Sequence, residues 1–449
     1  MALNVAATTS ETSHPPAGIA ARRSALTLLG ATLNRKRRLD EAFAADAGFA
    51  RLDARDRAFA RNLVMTTLRR LGQIDAVLGQ FVAHMPRGKS AALLDTLRLG
   101  ACQLLFLETP AHAAVDSTVR LAEAAGFKNQ TGFVNAVLRR IARDGARVVA
   151  AQDAPRINTP DWLWQSWTKA YGVETCRAIA AAHLAEPPLD LSVKSDPDAW
   201  AARLDGAVLP TGSVRRAPGG LVTALPGFDE GGWWVQDAGA ALPARVLLSA
   251  LDGGAGKTVI DLCAAPGGKT AQLAATGVQV IAVERSERRL QLVGDTLRRL
   301  GLSAELIPAD ARTWRPAATA DAVLLDAPCT ATGTIRRHPD APLLKRPEDV
   351  AEQARGQAEL LDAAAAMVAP GGVLVYSVCS LQPDEGPARI EAFLAAHREF
   401  ARLPITPAEL GGGADFVTPA GDLRTLPCHW PDRGGIDGFY VARLRMIGV

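Results

Sequence analysis

No stretch of this 449-residue chain offers the roughly 18 uncharged apolar residues that a membrane-spanning helix needs. The strongest run, LLDAAAAMVAPGGVLVYSVCS, is broken by Pro370, Gly371 and Gly372, so no membrane partner is expected. Cysteine is scarce and never closely paired. The six, at 102, 176, 263, 329, 379 and 428, form no C-x-x-C motif, which argues against a zinc site or a secreted disulfide framework and for reduced thiols in the cytoplasm. The opening MALNVAATTSETSHPPAGIA lacks the apolar core of a signal peptide, and residues 1–20 read as a disordered tail. Two nucleotide signatures are missing too. A P-loop needs G-x-x-x-x-G-K-[ST], but Cys263 takes the first glycine's place for Gly268-Lys269-Thr270, and Leu251 takes it for the sequence at 256–258. The dinucleotide pattern G-x-G-x-x-G does not occur.

Length alone implies two to four domains, and charge separates the first of them. Between Arg22 and Arg147 there are 21 Lys/Arg against 11 Asp/Glu, whereas residues 148–449 hold 29 against 35. A basic excess of this kind attracts a polyanion, although clustered charge also serves simply to solvate a helix face. In TGFVNAVLRRIARDG, Phe133, Val134, Val137, Leu138 and Ile141 share one helical face and Asn135, Arg139 and Arg143 the other. Residues 21–147 are therefore expected to form an all-α bundle with arginine outside.

Residues 148–235 are expected to form a small α+β linking domain. TPDWLWQSWTKAYG predicts a helix with Thr159 as N-cap and Pro160 at the first position, and the Pro- and Gly-rich run up to Gly232 predicts short strands and turns. Trp162, Trp164 and Trp167 have the flat faces that stack on bases, yet at helical spacing they read first as core.

From about Gly253 the pattern becomes apolar strand, small-residue turn, helix, repeated, which predicts a parallel, doubly wound Rossmann-like domain over 236–449. TVIDL, VQVIAV, SAELIPADA, ADAVLLD and GGVLVYSVCS supply five strands. Ligands bind at the carboxyl ends of such strands, and the unusual residues fall there. The first ends in DLCAAPGGKT, the second in Glu284, the third in Asp310, the fourth in Asp326, Pro328 and Cys329, and the fifth in Cys379. A glycine turn followed by an acid on the next strand suits a ribose-bearing ligand.

DLCAAPGGKT, DAPCTATGTIRRHPD, YSVCS and GIDGFYVARL together resemble the S-adenosylmethionine-dependent RNA cytosine-5 methyltransferases. The region from ALTLL to NAVLRRI resembles the NusB-like RNA-binding domain that heads the RsmB (Sun, Fmu) branch of that family. The resemblance implies methylation of one cytosine in 16S ribosomal RNA, in bacterial cytoplasm; a monomer without a metal site is expected. It implies that Cys379 is the nucleophile, that Cys329 is the group for product release, and that Asp326 acts near both cofactor and base. S-adenosylmethionine would lie on Cys263, Ala264, Ala265, Pro266, Gly267, Gly268 and Lys269, with Glu284 on the ribose hydroxyls, Asp310 towards adenine and Asp326 beside them.

Such an enzyme has a chemical reason for two thiols. Carbon 5 of cytosine becomes nucleophilic only after a thiolate adds at carbon 6, and the later loss of the carbon 5 proton needs a base. Spacing alone does not say which cysteine does which. A free thiol is only a few per cent ionised at neutral pH, so the nucleophile needs cations nearby; Lys269, Arg336, Arg337 and His338 are the candidates, with phosphate contact or plain solvation as their other readings. Two residues depart from the family pattern: Val378 stands where threonine is usual, and Gly386 where asparagine often follows an acid. The alternatives are a transfer RNA methyltransferase, a non-catalytic NusB-like assembly factor and a P-loop phosphotransferase.

Overall fold

Apolar residues at three- and four-residue spacing give the first third of the chain its helices. The computed structural model describes residues 18–251 and 254–448, and the chain divides into two compact units between Gln152 and Asp153. The first consists of α1 (Ile19–Leu33), α2 (Leu39–Ala45), α3 (Ala47–Ala50), α4 (Ala54–Arg69), α5 (Leu71–Phe81), α6 (Ala91–Leu105), α7 (Ala111–Ala124) and α8 (Thr131–Ala150). In α8, Val134, Val137, Leu138 and Ile141 are buried, but Phe133 is 39% exposed. It is turned about 100° from Val134, off the buried stripe. Because α8 runs on to Ala150, the boundary expected at 147 falls inside a helix. The expected tail mostly lies outside the described residues, and its last two residues already belong to α1.

The second unit opens with α9 (Ala154–Ile157), α10 (Asp161–Tyr171) and α11 (Val173–Ala182). Pro160, not Thr159, caps α10, since the Thr159 hydroxyl donates to the Pro155 carbonyl and closes the preceding turn. Trp167 is fully buried, and Trp162 and Trp164 pack partly buried in the same cluster, against Ile335, Leu381 and Leu426. These tryptophans are core.

Next come β1 (Leu189–Val193), α12 (Pro197–Arg203), β2 (Gly206–Val208), β3 (Val214–Arg216) and β4 (Trp233–Val235), a small antiparallel sheet in the order β2-β3-β1-β4. It is tied to the last part of the chain. Arg215 is bonded to both Asp190 oxygens at 2.6 Å and also reaches the carbonyls of Arg433 and Gly435. Residues 153–235 thus pack with the C-terminal part of the chain instead of standing apart as a 148–235 domain.

The large sheet takes shape after α13 (Ala238–Ser249), from β5 (Thr258–Leu262), α14 (Gly268–Ala274), β6 (Gln279–Val283), α15 (Glu287–Leu300), β7 (Glu305–Ile307), β8 (Ala320–Asp326), α16 (Ala341–Leu344), α17 (Pro347–Ala365), β9 (Val368–Val378), α18 (Pro387–Ala396), β10 (Phe400–Arg402), β11 (Leu423–Arg424) and β12 (Tyr440–Met446). Its order is β10-β12-β9-β8-β5-β6-β7. The five expected strands are parallel, and β12 adds to β9 antiparallel. Alternation splits their apolar runs between two faces: Ile260, Val323, Leu325 and Leu374 enter one core cluster, while Val259, Ala322, Leu324 and Val375 enter the other.

Candidate active site

β8 and β9 are neighbours, with Asp326 paired in register to Ser377. Continuing past that pair, the chain reaches Cys329 in the loop after β8 and Cys379 directly after β9, and their Sγ atoms stand 3.5 Å apart. Small residues make the approach feasible. Gly333 N donates to the Cys379 carbonyl at 2.9 Å, and a Cβ on Gly333 would lie 2.0 Å from the Gly438 oxygen. The hydrogen bond with Cys379, then burial and the nearby Glu385 carboxylate, push the Cys329 thiol well above its ordinary value.

Asp326 is held on both oxygens, by Lys269 Nζ at 2.7 Å and by Ser377 Oγ at 2.8 Å. Burial would pull Lys269 down, but its attraction to Asp326, their hydrogen bond and the nearby Cys379 sulfur outweigh that, so the ammonium lies above its ordinary value. Lys269 also rests over the Phe439 ring, 5.2 Å from its centre. Ion-paired in this way, Asp326 is an acceptor.

The turn after β5 lines a cavity of about 520 Å³ with Cys263, Ala264, Ala265, Pro266, Gly268 and Lys269, and Asp326 closes one side of it. Gly267, Glu284, Asp310 and the two cysteines are not among its lining residues. Gly267 has φ +102°, and a Cβ there would come within 3.1 Å of the Val293 backbone, so α15 packs directly onto the turn. Cys263 is left-handed as well, and burial, then Glu284, push its thiol up to about 12; it is a lining residue and not a nucleophile. Glu284 is 5% exposed, and its Oε1 accepts from Ser286 N at 3.1 Å. Its Oε2 makes no hydrogen bond, and the Arg289 guanidinium stands 3.4 Å away. Asp310 is engaged by Arg312, which holds both its oxygens and depresses it to about 2.

The basic pair after Cys329 faces inward. Arg336 is bonded to Asp437 at 2.6 Å and to Asp237 at 2.8 Å, and Arg337 to the same two carboxylates at 3.1 and 2.5 Å. Both are occupied in joining the chain after β4 to the segment before β12, so neither phosphate contact nor solvation describes them. His338 lines the cavity with Arg337. Sequence reasoning missed Asp261, which is buried and accepts from Thr270 Oγ1 at 2.6 Å, and Glu385, buried behind the two cysteines. Asp261 lies inside an apolar strand run with its partner nine residues on, whereas Glu385 is the acid that precedes Gly386 in the family pattern, a signal that was there to be used. The departures have local reasons. Val378 is fully buried in the sheet core, and Arg424 Nη2 would lie 2.8 Å from a Cβ on Gly386.

A family model described as 16S rRNA methyltransferase RsmB/F matches residues 248–445, and one for the NusB family matches residues 19–143. Ribosomal RNA small subunit methyltransferase B of Klebsiella pneumoniae is 37% identical over 407 residues, 87% of this chain and 90% of that one. The chain belongs to the ribosomal RNA small subunit methyltransferase B family. The Pseudomonas putida member is 36% identical over 442 residues, 94% of this chain and 98% of its own. Within this methyltransferase B framework, the NusB match falls on α1 to α8 and the RsmB/F match takes in the large sheet and both cysteines. Among solved structures, PH0851 superposes with a TM-score of 0.74 at 24% identity, covering 96% of this chain and 99% of that one. NSun6 from Pyrococcus horikoshii gives 0.52 at 20%, covering 65% and 99%. At those identities the likeness is one of fold.

Proposed function

We propose that this methyltransferase acts on carbon 5 of a cytosine in 16S ribosomal RNA, by way of a covalent adduct on Cys379. The observation that carries the reading is the pair of thiols 3.5 Å apart beside the Asp326–Lys269 ion pair. Addition of the Cys379 thiolate to carbon 6 turns the aromatic ring into an enamine, whose carbon 5 then accepts a methyl group. Once the methyl is in place, Cys329, next to the sulfur that must leave, releases its own thiol proton to solvent and as a thiolate takes the carbon 5 proton, so that the C5–H electrons re-form the ring and Cys379 is expelled as a thiolate. The charges support this division of labour: the Lys269 ammonium lies near Cys379, while the Glu385 carboxylate opposes ionisation of Cys329. Asp326 offers an acceptor to the exocyclic amine of the base.

The residues also fit S-adenosylmethionine. The buried Glu284 Oε2 faces Arg289 at 3.4 Å but accepts no hydrogen bond, which a ribose hydroxyl would supply, and the glycine turn lines an open cavity of about 520 Å³. When bound, the cofactor supplies the methyl group as an electrophilic sulfonium. Residues 263–269 and Glu284 would hold it, whereas Asp310 would need to share its carboxylate with Arg312.

The test is a denaturing gel of wild type, Cys329→Ala and Cys379→Ala, each incubated with S-adenosylmethionine and unmodified 16S or transfer RNA, with the methylated position mapped by bisulfite sequencing. Cys329→Ala is expected to accumulate a protein–RNA adduct, and Cys379→Ala to form none and transfer no methyl. Methylation by Cys379→Ala refutes the role assignment. Methylation of transfer RNA alone refutes the substrate, and failure of wild type on every RNA returns the protein to RNA binding.

A further inference from the structure

Glu385 is a carboxylate with 0% exposure at the end of a single turn, 383–385, that follows the second cysteine loop. Its Oε1 accepts from the Thr330 backbone N–H at 2.8 Å and from Gln357 Nε2 at 3.1 Å. Its Oε2 accepts from Ser380 Oγ at 2.5 Å and from the Thr330 hydroxyl. Thr330 follows Cys329 and Ser380 follows Cys379, so one carboxylate grips the residue after each thiol. Gln357, from α17, uses the same amide nitrogen to hold the Pro328 carbonyl at 2.9 Å, just before Cys329. Tyr376 Oη donates to the Glu385 carbonyl at 2.6 Å and fixes the turn from β9.

We infer that Glu385 is a positioning residue for the two-thiol chemistry: its carboxylate clamps the loops after Cys329 and Cys379 at their 3.5 Å spacing and lays a negative charge on the Cys329 side of the pair. This rests on the proposed roles of the two cysteines. Burying a carboxylate among uncharged donors is costly unless each lone pair is used, and four hydrogen bonds use them here. An amide would make a cheaper tie, since the hydroxyls of Thr330 and Ser380 can turn to accept from an N–H. What only the acid adds is charge. That charge opposes ionisation of Cys329, whereas Lys269, Asp326's ion-pair partner, stands near Cys379; Tyr376, Asp326 and Asp261 also surround the pair, Arg424 holds the Ser380 carbonyl at 2.6 Å, and Arg389 holds the Asp384 carbonyl at 3.0 Å. Two adjacent thiols that ionised equally would compete for carbon 6. Charge of opposite sign on the two sides separates nucleophile from base.

The experiment compares wild type, Glu385→Gln and Glu385→Ala. Each protein is alkylated with iodoacetamide across pH 6 to 10, and labelling of Cys329 and Cys379 is read separately by peptide mass spectrometry, alongside kcat and KM. Gln, which keeps the shape and removes the charge, is expected to speed Cys329 labelling about tenfold at fixed pH while Cys379 changes less than twofold. Ala, which removes the tie, is expected to lower kcat at least about 100-fold with little change in KM for RNA. Cys329 labelling in Glu385→Gln within twofold of wild type would overturn the electrostatic part, and a kcat in Glu385→Ala within threefold would overturn the clamp. If Ala does not fold, the Gln labelling profile decides alone. Labelling needs neither RNA nor cofactor, so absent methylation by wild type would sink the proposed function without touching this readout.

Discussion

Asp237 is the residue on which the second unit should depend most visibly. Its side chain is 2% exposed; its Oδ2 holds Arg336 and Arg337, and its Oδ1 accepts from Gly239 N at 2.7 Å, capping α13, and from Asp437 N at 3.0 Å. Asp237→Ala leaves two arginines to share Asp437. Unpairing a buried charge costs about 3–5 kcal/mol, and a lost cap about 1 kcal/mol more. With a urea slope of about 3 kcal/mol/M, the midpoint should fall by roughly 1–2 M. All eight tryptophans lie between Trp162 and Trp430, so their fluorescence reports this unit alone. Burial would raise Asp237, but the charges of Arg337 and Arg336 outweigh it and hold the carboxyl below its ordinary range. Its contribution is therefore present above about pH 4 and lost only as pH falls through the lower folded value. The gap between wild type and variant should persist from pH 8 to pH 5. Arg203→Ala, which breaks the exposed pair with Glu230, should leave the midpoint in place. A shift below about 0.3 M for Asp237→Ala would refute the cost assigned to unpairing these buried charges.

Lys269→Met removes the cation beside Asp326 and Cys379 and should lower single-turnover methyl transfer at least about 100-fold, while urea unfolding stays cooperative; a loss below tenfold would show that the ammonium is dispensable. Burial, aided by Asp326, pushes Asp261 up to about 7 against the Thr270 hydrogen bond. For a carboxyl raised on folding, stability is full below about pH 4 and declines as pH rises through the folded value. Asp261→Asn, which can still accept from Thr270, should flatten that decline, and urea midpoints at pH 5 and 8 check it.

Legibility in the sequence followed the range of the interactions. The five parallel strands could be read because each is a continuous apolar run ending in a turn, and β5 to β9 form where those runs lie. β12 could not be read as the partner of β9, because an antiparallel addition about sixty residues later leaves no local period. The segment after Asp153 read as a separate domain because its composition changes. Its attachment comes from Asp190, Arg215 and Asp237 meeting residues near Gly435, which no window along the chain contains. Arg336 and Arg337 show the same limit: adjacent arginines look like a surface pair until two distant carboxylates enclose them.

The two cysteines lay in legible motifs, but their difference did not. Neighbouring parallel strands, continued past the Asp326–Ser377 pair, bring two chemically identical thiols within 3.5 Å. Symmetry at that point comes from the sheet, and anything that distinguishes the thiols must come from outside β8 and β9. The turn after β5 delivers Lys269, near Cys379, and the turn after Cys379 doubles back to deliver Glu385, whose charge opposes ionisation of Cys329. One charge reaches the pair from the first turn of α14, sixty residues upstream of Cys329, and the other from six residues beyond Cys379. A motif scan sees neither as belonging to a cysteine. If nucleophile and base are set by this opposition, exchanging the two thiols' roles would require moving charges and not sulfurs, and variants at Lys269 and Glu385 should shift thiol reactivity in opposite directions.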